Sequence, residues 1–165
     1  MFKIGDVVVY SATGVCEIED ISVKAFGGIK SSYYVLKPLM QKASTVFVPV
    51  DNERLTRKIH PILSQEQFSE VFRSVKNRTP NRPESENERR EKFTEILESG
   101  NRESLMLMVY DLNNFKKTQQ ENGRRLHLAD ERLLTSAENI LYEELAFVFE
   151  IELNSVSDFL EKTFA

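Results

Sequence analysis

The sequence predicts an α+β chain: a small antiparallel β domain over residues 1–60, then a compact all-α region over 61–165. Three observations carry this. Up to Val50, β-branched and aromatic runs recur about every ten residues, with no helical period between them. After residue 60 the apolar period changes to three and four. And 41% hydrophobic with 29% charged side chains in 165 residues suits a globular chain of one or two domains.

The elements follow in order. Val7-Val8-Val9-Tyr10 is the first strand, and Ser11-Ala12-Thr13-Gly14 a turn. Val15, Ile18 and Ile21 belong to a second strand with polar residues between them. Phe26-Gly27-Gly28-Ile29 has the glycine pair of a tight hairpin, where positive φ costs least. Tyr33–Leu36 and Thr45–Val50 supply two more strands, and strands so closely spaced suggest a small barrel or sandwich. Ser64 with Gln67 three residues on is a capping box, followed by Phe68, Val71, Phe72 and Val75 on one helical face. That helix connects the two regions over 64–77. Residues 78–84, with Pro80 and Pro83 and no apolar side chain, read as a linker, and residues 85–165 as a bundle. Ser85 opens a helix with Phe93, Ile96 and Leu97 inward and Gly100 as its stop. Asn101 caps the next, with Leu105, Met108, Val109, Leu112 and Phe115 inward, broken by Gly123. Asp130 is the expected cap of a fourth, bearing Leu133, Leu134, Ala137, Ile140, Leu141, Leu145 and Val148. Ser155 starts a short last one with Phe159 and Leu160. Short links favour a compact bundle.

Composition excludes several classes. No run approaches the ~18 apolar residues of a membrane span, and Asp6 interrupts an N-terminus that lacks a small-residue cleavage site, unlike a signal peptide. A single cysteine, Cys16, rules out a disulfide framework and implies a reducing, cytosolic compartment. The net charge of −4 argues against binding nucleic acid by bulk charge. It is unevenly spread: residues 1–60 carry eight basic against six acidic side chains, and much of the acidic excess lies after Glu138.

Few residues suggest chemistry. Cys16 with His60 or His127 would make a nucleophile and base, but Cys16 sits at an apolar strand position, where a small core residue is the commoner meaning. The two histidines have no carboxylates at ligand spacing, so no metal is expected. Glu143-Glu144 and Glu150/Glu152 read as a solvated helix face rather than paired acids. No phosphate-loop motif is present. The expectation is a non-enzymatic protein with no cofactor and no small-molecule substrate.

The run Thr45–Val50 is more informative. With Val46, Val48 and Val50 facing the core, Thr45, Phe47 and Pro49 face out. Pro49 cannot donate a ladder hydrogen bond, which places the strand at an edge. An exposed Phe47 there suggests a partner strand adding itself; the other reading covers Phe47 with the helix from Ser64. Basic clumps at Arg89-Arg90, Lys116-Lys117, Arg124-Arg125 and Arg132 are either a solvated face or a nucleic-acid contact.

Several runs together resemble a known family. They are Phe2-Lys3-Ile4-Gly5-Asp6-Val7-Val8-Val9-Tyr10 followed by Gly14-Val15, then Tyr34-Val35-Leu36-Lys37-Pro38, and Val48-Pro49-Val50-Asp51-Asn52. In the helical half they are Phe93-x-x-Ile96-Leu97-x-Ser99-Gly100, Leu126-x-Leu128-Ala129-Asp130-Glu131-Arg132 and Ala137-Glu138-Asn139-Ile140-Leu141-x-Glu143-Glu144. In this order they resemble the CarD/CdnL-type bacterial transcription regulators. The resemblance implies a Tudor-like barrel, similar to the polymerase-interacting domain of the transcription-repair coupling factor. Such a barrel docks on the β-subunit lobe of bacterial RNA polymerase by strand pairing. It also implies a helical domain that approaches promoter DNA at the upstream edge of the melted bubble.

On that basis the expected polymerase contacts are Lys24, Thr45, Val46, Phe47, Val48 and Pro49, and the expected DNA contacts are Arg89, Arg90, Arg124, Arg125 and Arg132. Two positions depart from the family. Phe47 stands where a basic residue is common, and Pro83-Glu84-Ser85-Glu86 stands where several members carry a tryptophan that wedges into the minor groove. With Glu86, Glu88 and Glu91 beside Arg89-Arg90, DNA contact is expected to be weak or dependent on polymerase. An adaptor whose helical domain meets another protein is the alternative, and an enzyme using Cys16 or the glutamates a further rival.

Overall fold

The computed structural model describes residues 1–11, 13–78 and 85–165. Ala12 of the expected turn and most of the expected linker, including Pro80 and Pro83, lie outside them. The chain folds as two units, Met1–Leu63 and Ser64–Ala165.

The first unit is one antiparallel sheet of five strands, β1 (Val7–Tyr10), β2 (Gly14–Phe26), β3 (Ile29–Pro38), β4 (Val46–Pro49) and β5 (Ile59–Pro61), in the order β4-β3-β2-β1-β5. A one-turn helix, α1 (Glu53–Thr56), connects β4 to β5. The sequence reading missed α1 and β5, both too short to show a period. Gly27 and Gly28 turn the β2–β3 hairpin at φ +60° and +81°, the left-handed pair that a two-residue hairpin requires, so Phe26 pairs directly with Ile29. The register of β2 shifts between Ile18 and Asp20. This bulge at Glu19 explains the three-residue spacing of Ile18 and Ile21: the extra residue brings Ile21, opposite Tyr34, onto the same face as Ile18, opposite Leu36.

The inner face supplies the core: Val8, Tyr10, Cys16, Ile18, Tyr34, Leu36, Val48 and Ile59, at least one from every strand. A flat five-stranded sheet would hold its edges ~19 Å apart. That both edge strands give residues to one core means the sheet curls, helped by the bulge. It does not close. The expected barrel is corrected to an open sheet, whose edges β4 and β5 are bridged by the α1 segment with Val50 and Leu55 packed on the core. Closure needs matched strands that can pair along their length; here the edges are four and three residues long, and Pro49 has no N–H to give.

The second unit is helical: α2 (Gln65–Lys76), α3 (Glu86–Ser99), α4 (Arg102–Glu121), α5 (Leu128–Phe149) and, after a single 3₁₀ turn, α6 (Val156–Phe164). Ser64 and Gln67 form the reciprocal capping box, Ser85 and Asn101 cap α3 and α4, and Gly100 ends α3 at φ +68°. The cap of α5 is corrected. The helix starts at Leu128, with His127 at the cap position, and Asp130 is buried in its first turn because an arginine takes its carboxylate. Ser155 likewise makes no cap hydrogen bond, since the 3₁₀ turn feeds straight into α6. Leu105, Val109 and Leu112 of α4 and Leu133, Leu134, Ala137, Leu141 and Leu145 of α5 are buried. Phe68 and Phe72 of α2 pack on Phe149, and Phe72 also meets Phe159 and Phe164 of α6, with centroids 5.9–6.1 Å apart. No helix among the described residues is long and apolar enough to cross a membrane.

Candidate functional site

The edge strand β4 is the first candidate. Its only partner among the described strands is β3, with Tyr33 opposite Pro49, Tyr34 opposite Val48, Val35 opposite Phe47 and Leu36 opposite Val46. Val50 N–H donates to Ser32 O at 2.9 Å, and this sets the phase of the strand. In an antiparallel pair alternate residues turn their peptide groups to the neighbour. Those of Val46, Val48 and Val50 therefore face β3, and those of Thr45, Phe47 and Pro49 face away. Pro49 has no N–H, and its carbonyl accepts from Asn52 N at 3.2 Å. Among the described residues nothing pairs with the N–H and C=O of Phe47, which stay open at the edge with those of Thr45 beside them.

Side chains follow the same alternation. Val48 is 1% exposed and Val46 packs against the core, so both support the edge from within. Phe47 is 40% exposed on the outer face. It shares that face with Tyr33 and Phe26, whose rings lie 6.5 and 5.6 Å from it, and Phe26 meets Tyr33 edge-on at 5.2 Å. Of the two readings of Phe47, the structure has the ring exposed and in aromatic company from its own sheet. Lys24 lies opposite Ser31, in phase with Phe26 and Tyr33, so it joins the same outer face. Sequence reasoning missed Phe26 and Tyr33. The signal was available, because a two-residue turn at Gly27-Gly28 fixes which residues of the two strands share a face.

The arginines fall into two groups. Arg89 on α3 makes a two-toothed ion pair with Asp130 on α5, Nε to Oδ1 at 2.8 Å and Nη2 to Oδ2 at 2.7 Å. Its side chain is 14% exposed and that of Asp130 1%. Arg89 therefore ties the start of α3 to the start of α5 and presents little of itself to solvent. Arg90 is exposed, with Glu86 at 3.7 Å. Arg124 and Arg125, in the turn after Gly123, and Arg132, one helical turn beyond the exposed Leu128, are exposed and make no ion pair among the described residues. Because the Arg89–Asp130 pair joins the two helix starts, Arg90, Arg124, Arg125 and Arg132 gather at one end of the helical unit.

Cys16 is fully buried. Among the described residues no group of three or more His, Cys, Asp or Glu side chains could hold a metal ion. The expectation that Glu143-Glu144 is a solvated face is overturned: both are buried, at 2% and 1%. Glu144 accepts from Arg102 Nε and Nη2 at 2.9 and 3.0 Å, while Nη1 of that arginine donates to Gly100 O at 2.8 Å. The buried fork pins α4 and its preceding turn to α5. A lone arginine two residues past a helix-ending glycine carried no sequence signal for this.

The sheet and the helices each have a counterpart among known families. The model of the CarD-like/TRCF RID domain matches residues 2–62, and that of the CarD C-terminal domain matches residues 70–161. The chain belongs to the CarD-like family. As a CarD-like protein it is a transcription-related, RNA-polymerase-interacting protein, and the family is one of non-enzymatic transcription factors. Its N-terminal match ends just after β5, so the open edge at Phe47 belongs to the RID-like part. The C-terminal CarD match takes in the paired arginines and the end of the helical unit where the exposed ones gather.

Proposed function

We propose that this CarD-like protein docks on the β-subunit lobe of bacterial RNA polymerase by strand addition to β4 and modulates the promoter open complex from there. The open N–H and C=O of Phe47 are the observation that carries the reading. A strand added there gains two backbone hydrogen bonds at one residue and continues along Thr45, while Pro49 stops it at the other end. Lys24, Thr45, Phe47 and Pro49 would meet the partner with side chains on the outer face. Val46 and Val48 would hold the strand against the core.

In this reading the helical unit touches promoter DNA weakly, once polymerase supplies the local concentration. Arg90, Arg124, Arg125 and Arg132 make the phosphate contacts, and Arg89 orients the end that carries them. The occupation of Arg89 by Asp130 favours a second reading, an adaptor whose helical unit meets another protein. Footprinting of polymerase at a promoter, with the full chain and with an Arg124→Ala/Arg125→Ala variant, separates the two. Protection that depends on the arginines supports DNA contact, and identical footprints support the adaptor.

Docking itself is tested by pull-down of the β lobe. Phe47→Asp places a charge beside the open peptide groups while leaving the core residues untouched. It is expected to lower capture by at least about tenfold with the thermal transition unchanged, since desolvating an unpaired carboxylate at an interface costs more than 1.4 kcal/mol. Undiminished capture by a folded Phe47→Asp protein sinks the docking site.

A further inference from the structure

The helical unit holds a groove of about 520 Å³ that neither the edge strand nor the arginines account for. Three helices line it, each with a stripe at helical spacing: Met106, Tyr110, Asn113 and Lys117 from α4, Glu138, Leu141 and Tyr142 from α5, Ser157, Leu160, Glu161 and Phe164 from α6. The floor is apolar and closed, because Met106, Val109, Leu141 and Leu160 are all buried. The volume lies within the range of small-molecule sites, about 300–1,000 Å³.

The walls and rim have a definite chemistry. Tyr110 and Phe164 stand 5.6 Å apart with their planes at 60°, two faces of an aromatic corner. Glu138 accepts one hydrogen bond, from Asn113 Nδ2 to Oε1 at 3.0 Å, and its second oxygen has no donor among the described residues. Glu161 makes no ion pair there. Both carboxylates act on Tyr142, whose phenol hydrogen-bonds Ser157 and is pushed up to about 12 by burial first and then by the field of Glu138, with Glu161 adding to it. Lys117 lines the groove as well, one helical turn past Asn113 and so at the Glu138 end, which gives the lining two carboxylates and one ammonium. An excess of carboxylate over ammonium, set against π faces over an apolar floor, matches a positive charge carried on an apolar body.

We propose that this groove binds a small organic amine, its ammonium between Glu138 and Glu161 against the rings of Tyr110 and Phe164, and its hydrocarbon part on Met106 and Leu160. An alcohol of the same shape would lose the charge-assisted bonds, and a carboxylate would be repelled.

The test uses the full chain and three probes of one skeleton: phenethylamine, 2-phenylethanol and phenylacetate. Calorimetry is expected to show binding of the amine, with the alcohol weaker by at least about tenfold and the acid not bound. Amide shifts on titration with the amine are expected to map to α4, α5 and α6 around the named side chains. Glu161→Gln, at an exposed position that does not threaten folding, and Glu138→Gln, which keeps an acceptor for Asn113, should each weaken the amine by roughly fivefold and leave the alcohol unchanged. Equal binding of amine and alcohol, indifference to both substitutions, shifts elsewhere on the chain, or no binding of the amine would each overturn the assignment.

Discussion

At the scale of single residues, charge location governs what each side chain can do. Arg89 looks in the sequence like any other arginine of a basic clump and Arg102 like a lone surface arginine, yet both are spent inside the helical unit on Asp130 and Glu144. Removing one partner from such a pair leaves a buried charge unanswered, which costs far more than the pair itself contributes. Asp130→Ala is therefore expected to destabilise the protein by about 3 kcal/mol in denaturant titration. Arg124→Ala, in an exposed turn, should change stability by no more than about 0.5 kcal/mol. Tyr142 gives a pH prediction. Its folded pKa of about 12 lies above the ordinary tyrosine value, so the neutral phenol is the form that folding favours. Its contribution is complete below pH ~10, the unfolded value, and is lost as pH rises from there through the folded one. Tyr142→Phe should remove that part of the alkaline loss of stability and the latest phenol in an ultraviolet titration.

At the scale of elements, legibility followed period and caps. The helices starting at Ser64, Ser85 and Asn101 were readable because each start pairs a polar cap with an apolar stripe, and the edge position of β4 was readable from Pro49. Asp130 misled because it is a good cap type three residues into a helix, and only the fold brings Arg89 to it. The bulge at Glu19 and the strand at Ile59 were hidden, since one extra residue or a three-residue strand leaves no period to count. The open edge itself was half visible: alternation predicted the outward Phe47, but which peptide groups stay free depends on the ladder phase. The β2–β3 hairpin carries its own test. A Cβ at Gly28 meets nothing within 4 Å, so a substitution there acts through φ alone. Gly28→Val is expected to cost about 1–2 kcal/mol in denaturant titration. It should also weaken β-lobe capture, because Phe26 beside the turn supports the Phe47 ring.

At the scale of the whole molecule, charge limits what the helical unit can do by itself. The chain has pI ≈ 5.4 and net charge −4, so its long-range field repels a polyanion. The exposed arginines act against that field only at close range, within the ~8–10 Å over which physiological salt leaves a charge unscreened. Under the proposed function, such a protein gains little from diffusion to DNA and much from being carried there by a strand-paired contact, since tethering replaces bulk affinity with local concentration. Duplex binding by the free protein should therefore be weak, and its dependence on salt shallow. With about four phosphate contacts at most, the slope of log K against log salt should not exceed about −4 in magnitude. Arg124→Ala/Arg125→Ala should reduce it by about two. Nanomolar duplex binding by the isolated chain at physiological salt, or a slope untouched by that double variant, would show that the helical unit finds DNA by another surface.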